Sequence, residues 1–243
     1  MTRPVTRFAR LLSVFLLCIA APAAAQPLLE IPSQGGGAVH YAWQPAGKVE
    51  RWIVSLHGTG GSARTDIGIW QRSVIGRGVG VLSIQWWREK GDVYLAPPEI
   101  HREIEMATKL LGIAPGRAML HGFSRGSSNL YAVAALDAGR GRKLFSLFVA
   151  NSGGASADYP PNRAIAEGKF GSRPLAGTRW ITVCGERDPN PERDGCPGMR
   201  RTAGWLKEQG AQLVLAIEDP KFGHGALNLN PRNADRVLDL FSR

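Results

Sequence analysis

Arg117-Ala118-Met119-Leu120-His121-Gly122-Phe123-Ser124-Arg125-Gly126-Ser127-Ser128-Asn129-Leu130 reads as a strand, a sharp turn and the start of a helix. At its centre Gly122-Phe123-Ser124-Arg125-Gly126 fits the G-x-S-x-G pattern. In that pattern the serine sits strained at the tip of a strand, and glycines two before and two after let strand and helix approach without Cβ clashes. The pattern alone is weak, since glycine supplies 30 of the 243 residues and a chance turn would look the same. Its surroundings strengthen it: Ala118 to Leu120 is an apolar strand end, and Ser127 to Asp137 is alanine-rich with few β-branched residues.

Outward from this stretch, apolar runs alternate with helical segments. Strands are expected at 38–44, 51–56, 79–84, 144–150, 180–184 and 213–217, and helices at 65–75, 97–111, 127–137, 199–209 and 233–241. Such alternation implies right-handed crossovers and a mostly parallel sheet, with ligand chemistry at the carboxyl ends of its strands. Residues 155–178, polar and carrying Pro160-Pro161, read as a loop or small lid.

Arg3, Arg7 and Arg10 precede the apolar run 11–20 and Ala21-Pro22-Ala23-Ala24-Ala25, the layout of a secretory signal at 1–25 cleaved before Gln26. The rival reading, an uncleaved anchor, lacks the roughly 20 apolar residues a span needs. A lipoprotein attached at Cys18 is disfavoured by Phe15-Leu16-Leu17 ahead of it. Residues 26–243 suit one α/β domain in length, in a periplasmic or secreted protein with no stable membrane insertion after cleavage. Losing Cys18 leaves Cys184 and Cys196, for which a disulfide in an oxidising compartment is the natural expectation. The alternative is two free thiols, with Cys184 buried at a strand end. The formal charge of +10 falls to +7 without the signal, 27 basic against 20 acidic residues, and the basic residues are scattered. That pattern fits a solvated surface, or a secondary attraction to anionic substrates, and argues against nucleic-acid binding.

Ser124, Asp188 and His224 follow three expected strands in that order, and they can serve as nucleophile, orienting acid and base. Asp194 and Asp219 are alternative acids, and His224 could be a plain surface histidine between two glycines. Trp86 and Trp87 either line a pocket or simply pack. The alternation of Asp188, Asn190, Glu192 and Asp194 superficially looks like a calcium loop. The glycine at the sixth position and the distal glutamate of an EF-hand are missing, so neither metal nor cofactor is expected.

Four motifs, His57-Gly58-Thr59-Gly60-Gly61, Gly122-Phe123-Ser124-Arg125-Gly126, Gly185-Glu186-Arg187-Asp188 and Gly223-His224-Gly225, make the chain similar to the α/β-hydrolase family over nearly all its mature length. Within that family it most resembles small exported esterases of the polyhydroxybutyrate depolymerase and feruloyl esterase kind. The resemblance implies a mostly parallel sheet flanked by helices with little or no lid. It also implies an oxyanion hole from the backbone amides of Thr59 and Arg125, and an acyl-enzyme formed on a small or oligomeric ester. A peptidase or amidase on the same fold, and a catalytically silent binding protein, are the competing functions.

Overall fold

The computed structural model describes residues 26–88, 91–141 and 143–242; the expected signal at 1–25 lies outside them. Strands β1 (Leu29–Pro32), β2 (Val39–Trp43), β3 (Arg51–Leu56), β4 (Val79–Ile84), β5 (Ala118–Phe123), β6 (Phe145–Asn151), β7 (Arg179–Gly185) and β8 (Gln212–Asp219) form one eight-stranded sheet. Their order is β1-β2-β4-β3-β5-β6-β7-β8. β2 runs antiparallel to both neighbours, and β3 through β8 are mutually parallel.

The helices are α1 (Ala63–Val74), α2 (Pro97–Leu110), α3 (Arg125–Ala138), α4 (Pro160–Ala166), α5 (Cys196–Glu208), α6 (Ala226–Leu229) and α7 (Pro231–Phe241). Every expected strand and helix is present within a few residues of its anticipated ends. Three further elements lie outside those expectations. β1 alternates only weakly and lies at the sheet's edge, and α6 is a single turn. α4, which starts at Pro160, occupies part of the expected loop at 155–178.

The period of two along the strands divides the core into two layers. On β3, Trp52, Val54 and Leu56 join Leu120, Phe148 and Trp180 on the face that receives Leu130 of α3 and Leu206 of α5. The intervening Ile53 joins Met119, Val149 and Ile181 on the face closed by Trp70 of α1 and Leu238 of α7. Both faces are covered, which is why the central strands read as continuous apolar runs rather than alternating ones. Among the described residues no helix is long and apolar enough to cross a membrane.

Polar residues also lie inside. His121 on β5 is fully buried, and its Nδ1 accepts the Trp70 indole N–H at 3.1 Å, so the ring proton belongs on Nε2. Ser55 Oγ reaches the same Nδ1 at 2.9 Å. Burial pushes His121 down from 6.5 to about 3 and His57 down to about 4; His40 is lowered for the same reason, against the upward pull of Glu103. Asp66, buried beneath Ser55 and Ser83, is raised from 3.8 to about 6.

These shifts predict the acid response. A histidine whose folded value is depressed costs nothing above pH 6.5 and loses stability as pH falls from there toward its folded value, by about 1.4 kcal/mol per pH unit. Asp66 acts in the opposite sense between 3.8 and about 6, as does Asp137, also raised by burial, but with His101 likewise lowered by burial these two carboxyls stand against four histidines. The melting temperature should therefore fall steadily between pH 6.5 and pH 4. A flat profile across that window, measured by thermal unfolding in matched ionic strength, would contradict the buried neutral histidines.

Candidate active site

The elbow is built by backbone proximity. A Cβ on Gly122 would lie 2.5 Å from the Gly126 carbonyl oxygen, and one on Gly126 would lie 2.2 Å from the Leu56 carbonyl oxygen. Only hydrogen fits at either position, so β5, the start of α3 and the end of β3 can meet. Between the two glycines Ser124 takes φ 54° and ψ −118°, a conformation that L-residues occupy only under constraint. The Ser124 amide donates to Asn151 O at 2.9 Å, which ties the turn to the end of β6. Gly153 packs beneath it: a Cβ there would lie 2.1 Å from Ser124 O, and its carbonyl accepts Ser127 Oγ and Tyr131 Oη, each at 2.7 Å.

The structure brings Ser124, Asp188 and His224 together from the ends of β5, β7 and β8. His224 Nε2 lies 2.9 Å from Ser124 Oγ, and Nδ1 lies 2.8 Å from Asp188 Oδ2. A buried carboxylate can only accept, so Nδ1 carries the imidazole proton and Nε2 presents a lone pair to the serine hydroxyl. Asp188 Oδ1 accepts the Asn190 amide at 2.8 Å, which holds the carboxylate from its other side.

The acid and histidine loops touch through their backbones. A Cβ on Gly185 would lie 2.2 Å from Phe222 O, and the Arg187 amide donates to that same oxygen at 3.1 Å. Cys184 and Cys196 are joined by a disulfide, with Cα atoms 5.1 Å apart, so the loop that carries Asp188 is closed at its base onto the first residue of α5.

Neither alternative acid is bonded to His224. Asp219 accepts Asn230 and Asn233 side-chain amides at 2.7 and 2.8 Å and the Lys221 amide at 2.9 Å. Burial works to raise its carboxyl, but these donors outweigh it and hold the group below its usual value. It braces the turn that delivers His224. Asp194 is buried and lies close to the pair, with donor atoms of Asp188, Asp194 and His224 all within 4.8 Å of one another. These three could in principle converge on a cation. Their atoms are already engaged, however: Asp188 holds His224, and both Asp194 oxygens accept from the Arg193 guanidinium at 2.7–3.0 Å.

Thr59, in the turn after β3, and Arg125, the first residue of α3, line a cavity of about 430 Å³ together with Ser124. Among the described residues neither amide meets a hydrogen-bond acceptor, as expected for a helix's first N–H and for a turn open to a ligand. The rest of the lining is Ser128, Gly154, Ser156, Asp158, Tyr159, Arg193 and Asp194, and among the described residues no aliphatic side chain contributes.

Trp86 and Trp87 fall outside this wall. Trp86 is fully buried, and its indole N–H donates to His57 O at 3.1 Å, while Trp87 donates to Gly91 O at 2.9 Å. The strand-end position that suggested a pocket instead turns Trp86 inward beneath the turn after β3. Sequence reasoning missed Asp92, Tyr94 and Tyr159, because the approach of each to its partner, Arg125, Gly60 and Asn129 respectively, depends on the fold alone.

No protein-family model and no curated protein sequence matches the chain. Solved structures do resemble it. An esterase of Pyrobaculum calidifontis has a TM-score of 0.64 at 19% identity, over 91% of this chain and 85% of that one. TT1662 from Thermus thermophilus has a TM-score of 0.68 at 16% identity, over 90% and 98%. A carboxylesterase from Mesorhizobium loti has a TM-score of 0.62 at 16% identity, over 88% and 99%. At these identities the likeness is one of fold.

The bridge generates a prediction of its own. If it acts mainly by restricting the unfolded chain, its closed loop contributes about 3 kcal/mol. Reduction, or Cys184→Ala with Cys196→Ala, should then lower the melting temperature by about 6–12 °C for a chain of this size. Mass spectrometry of the non-reduced protein should yield a cross-linked Cys184–Cys196 peptide; two alkylatable thiols would rule the bridge out.

Proposed function

On this α/β-hydrolase fold, we propose that the chain is an exported serine hydrolase of carboxylic esters, in which Ser124 is the nucleophile, His224 the base and Asp188 the orienting acid. The observation that carries the reading is the unbroken relay from Ser124 Oγ through His224 to Asp188, with bonds of 2.9 and 2.8 Å. Esterase and carboxylesterase activities among structures of like fold support the choice of ester over other acyl compounds. The residues 1–25 and the disulfide fit export to the periplasm or medium, with Gln26 as the mature N-terminus.

The chemistry follows from the geometry. Ser124 Oγ attacks the ester carbonyl carbon as its proton passes to His224 Nε2, and the imidazolium so formed is stabilised by Asp188. Negative charge gathers on the former carbonyl oxygen, which accepts from the Thr59 and Arg125 amides; losing one such donor typically costs about 2.7–4 kcal/mol of transition-state stabilisation. His224 returns the proton to the departing alkoxide, leaving an acyl-enzyme. Water, deprotonated by His224, then releases the acid and restores Ser124.

The cavity wall favours short or hydroxylated groups over long alkyl chains, since an alkyl chain would cover the exposed Asp158 and Arg193 side chains without offering them hydrogen bonds. Hydroxybutyrate oligomers and feruloyl esters are accordingly the substrates to set beside simple acetates, in keeping with the narrower resemblance to depolymerases and feruloyl esterases.

A fluorophosphonate probe should label Ser124, and Ser124→Ala should abolish ester hydrolysis while the fold persists. Labelling elsewhere, or retained turnover, would falsify the assignment. On p-nitrophenyl esters, acetate and butyrate should exceed octanoate in kcat/KM. Cleavage of peptide amides with no ester turned over would make the protein an amidase.

The acid is tested separately. Asp188→Asn should lower kcat by about 10⁴-fold, the loss seen when a tautomer-fixing carboxylate is neutralised in a serine protease. Asp194→Asn should be mild, and EDTA without effect. Exchange of the two mutant behaviours would transfer the role to Asp194.

A further inference from the structure

The connection after β4 reaches the mouth of the site through side chains that the relay does not use. The Tyr94 hydroxyl accepts the Gly60 amide N–H at 3.0 Å. Its ring packs on Trp86 with centroids 4.6 Å apart, and Trp86 in turn holds the His57 carbonyl. The segment that contains Thr59 is thus tied on both sides, at His57 O and at Gly60 N. It needs such ties, because Gly58, Gly60 and Gly61 leave its backbone few side-chain contacts, and Gly60 has φ +65°.

The same Tyr94 ring carries the Arg125 guanidinium 4.1 Å from its centroid. Arg125 is forked onto the Asp92 carboxylate through both Nη atoms, with Nη2 to Oδ2 at 2.9 Å, and this pairing holds Asp92 below the usual carboxylate range. A guanidinium so engaged has its charge compensated within the protein. It is better suited to fixing Tyr94 than to receiving an anionic substrate.

We propose that Tyr94 is a positioning residue that holds the Thr59 amide in register with the Arg125 amide, with the Arg125 side chain and Asp92 acting as the clasp that keeps Tyr94 in place. The inference rests on the serine-hydrolase reading, since the two amides matter only if an oxyanion forms between them. Residue Arg125 then serves the hole twice, once through its backbone N–H and once by holding the tyrosine that restrains the opposite arm. A donor displaced by about an ångström loses much of its catalytic worth, while substrate binding elsewhere in the cavity is unaffected.

Tyr94→Phe removes one hydroxyl and leaves the ring in its stack. It should lower kcat on p-nitrophenyl acetate about tenfold with KM unchanged, the consequence of one lost hydrogen bond expressed only in the transition state. Affinity for an arylboronic acid, whose tetrahedral adduct on Ser124 places an oxygen between the two amides, should fall by the same factor. Arg125→Met should act in the same direction, and the double variant should lose less than the product of the single losses.

Wild-type kcat in Tyr94→Phe, or a lowered kcat with unchanged boronate affinity, would overturn the proposal. Should Tyr94→Phe fail to fold, Asp92→Asn carries the same pair of measurements with the same expected signs. A wild-type protein that hydrolyses no ester and is not labelled at Ser124 would overturn the hydrolase reading beneath it. An active, labelled wild type with an indifferent Tyr94→Phe would overturn the clasp alone.

Discussion

The site depends on backbones that approach more closely than side chains would permit. Gly126 against Leu56 O, Gly153 against Ser124 O and Gly185 against Phe222 O are each contacts near 2.2 Å for the Cβ that is missing. Together they draw the carboxyl ends of β3, β5, β6, β7 and the loop after β8 into one cluster. An alanine at any of these points would have to move main chain, because the obstructing atom is a carbonyl and not the end of a flexible side chain. The strain at Ser124 is a consequence of the same compression, and the packed layers on both faces of the sheet are what sustain it.

Around that cluster, electrostatics assigns different work to similar groups. Asp188 is free to orient His224 because its remaining oxygen is satisfied by one amide, whereas Asp194 is compensated by Arg193 and Asp219 is saturated by donors from its own turn. The buried histidines divide likewise. His121 and His57 are held neutral by desolvation deep in the sheet and beneath the turn, while His224 is partly exposed, with a partner on each ring nitrogen. Position in the fold, more than residue type, separates a structural carboxylate or imidazole from the ones proposed to react.

The disulfide and the Tyr94 stack brace opposite sides of the same centre. Cys184–Cys196 closes the acid loop at the end of β7, and Trp86, Tyr94 and Arg125 secure the turn after β3. Neither bears directly on the relay. Both restrict loops that, being at the surface and rich in glycine or proline, would otherwise sample many conformations.

Much of this was legible in the residues themselves. The central strands declare themselves because a strand buried on both faces must be apolar at every position, as Trp52-Ile53-Val54 is, and the elbow does so because only glycine tolerates the required approach on either side of Ser124. The order Ser124, Asp188, His224 could be read because each follows a strand end, which a parallel sheet gathers at one edge. What the residues could not reveal is how loops meet. β1 and α6 are too short for any periodicity, Trp86 carries the same local signal whether it faces a pocket or the core, and the choice among Asp188, Asp194 and Asp219 rests on which carboxylate the tertiary structure leaves facing His224. Asp92, Tyr94 and Tyr159 each act on a residue 30 or more positions away in the chain, at Arg125, Gly60 and Asn129 respectively. Local sequence determines which backbone conformations are open to each segment; only the packed sheet decides which surface side chains share a volume of space.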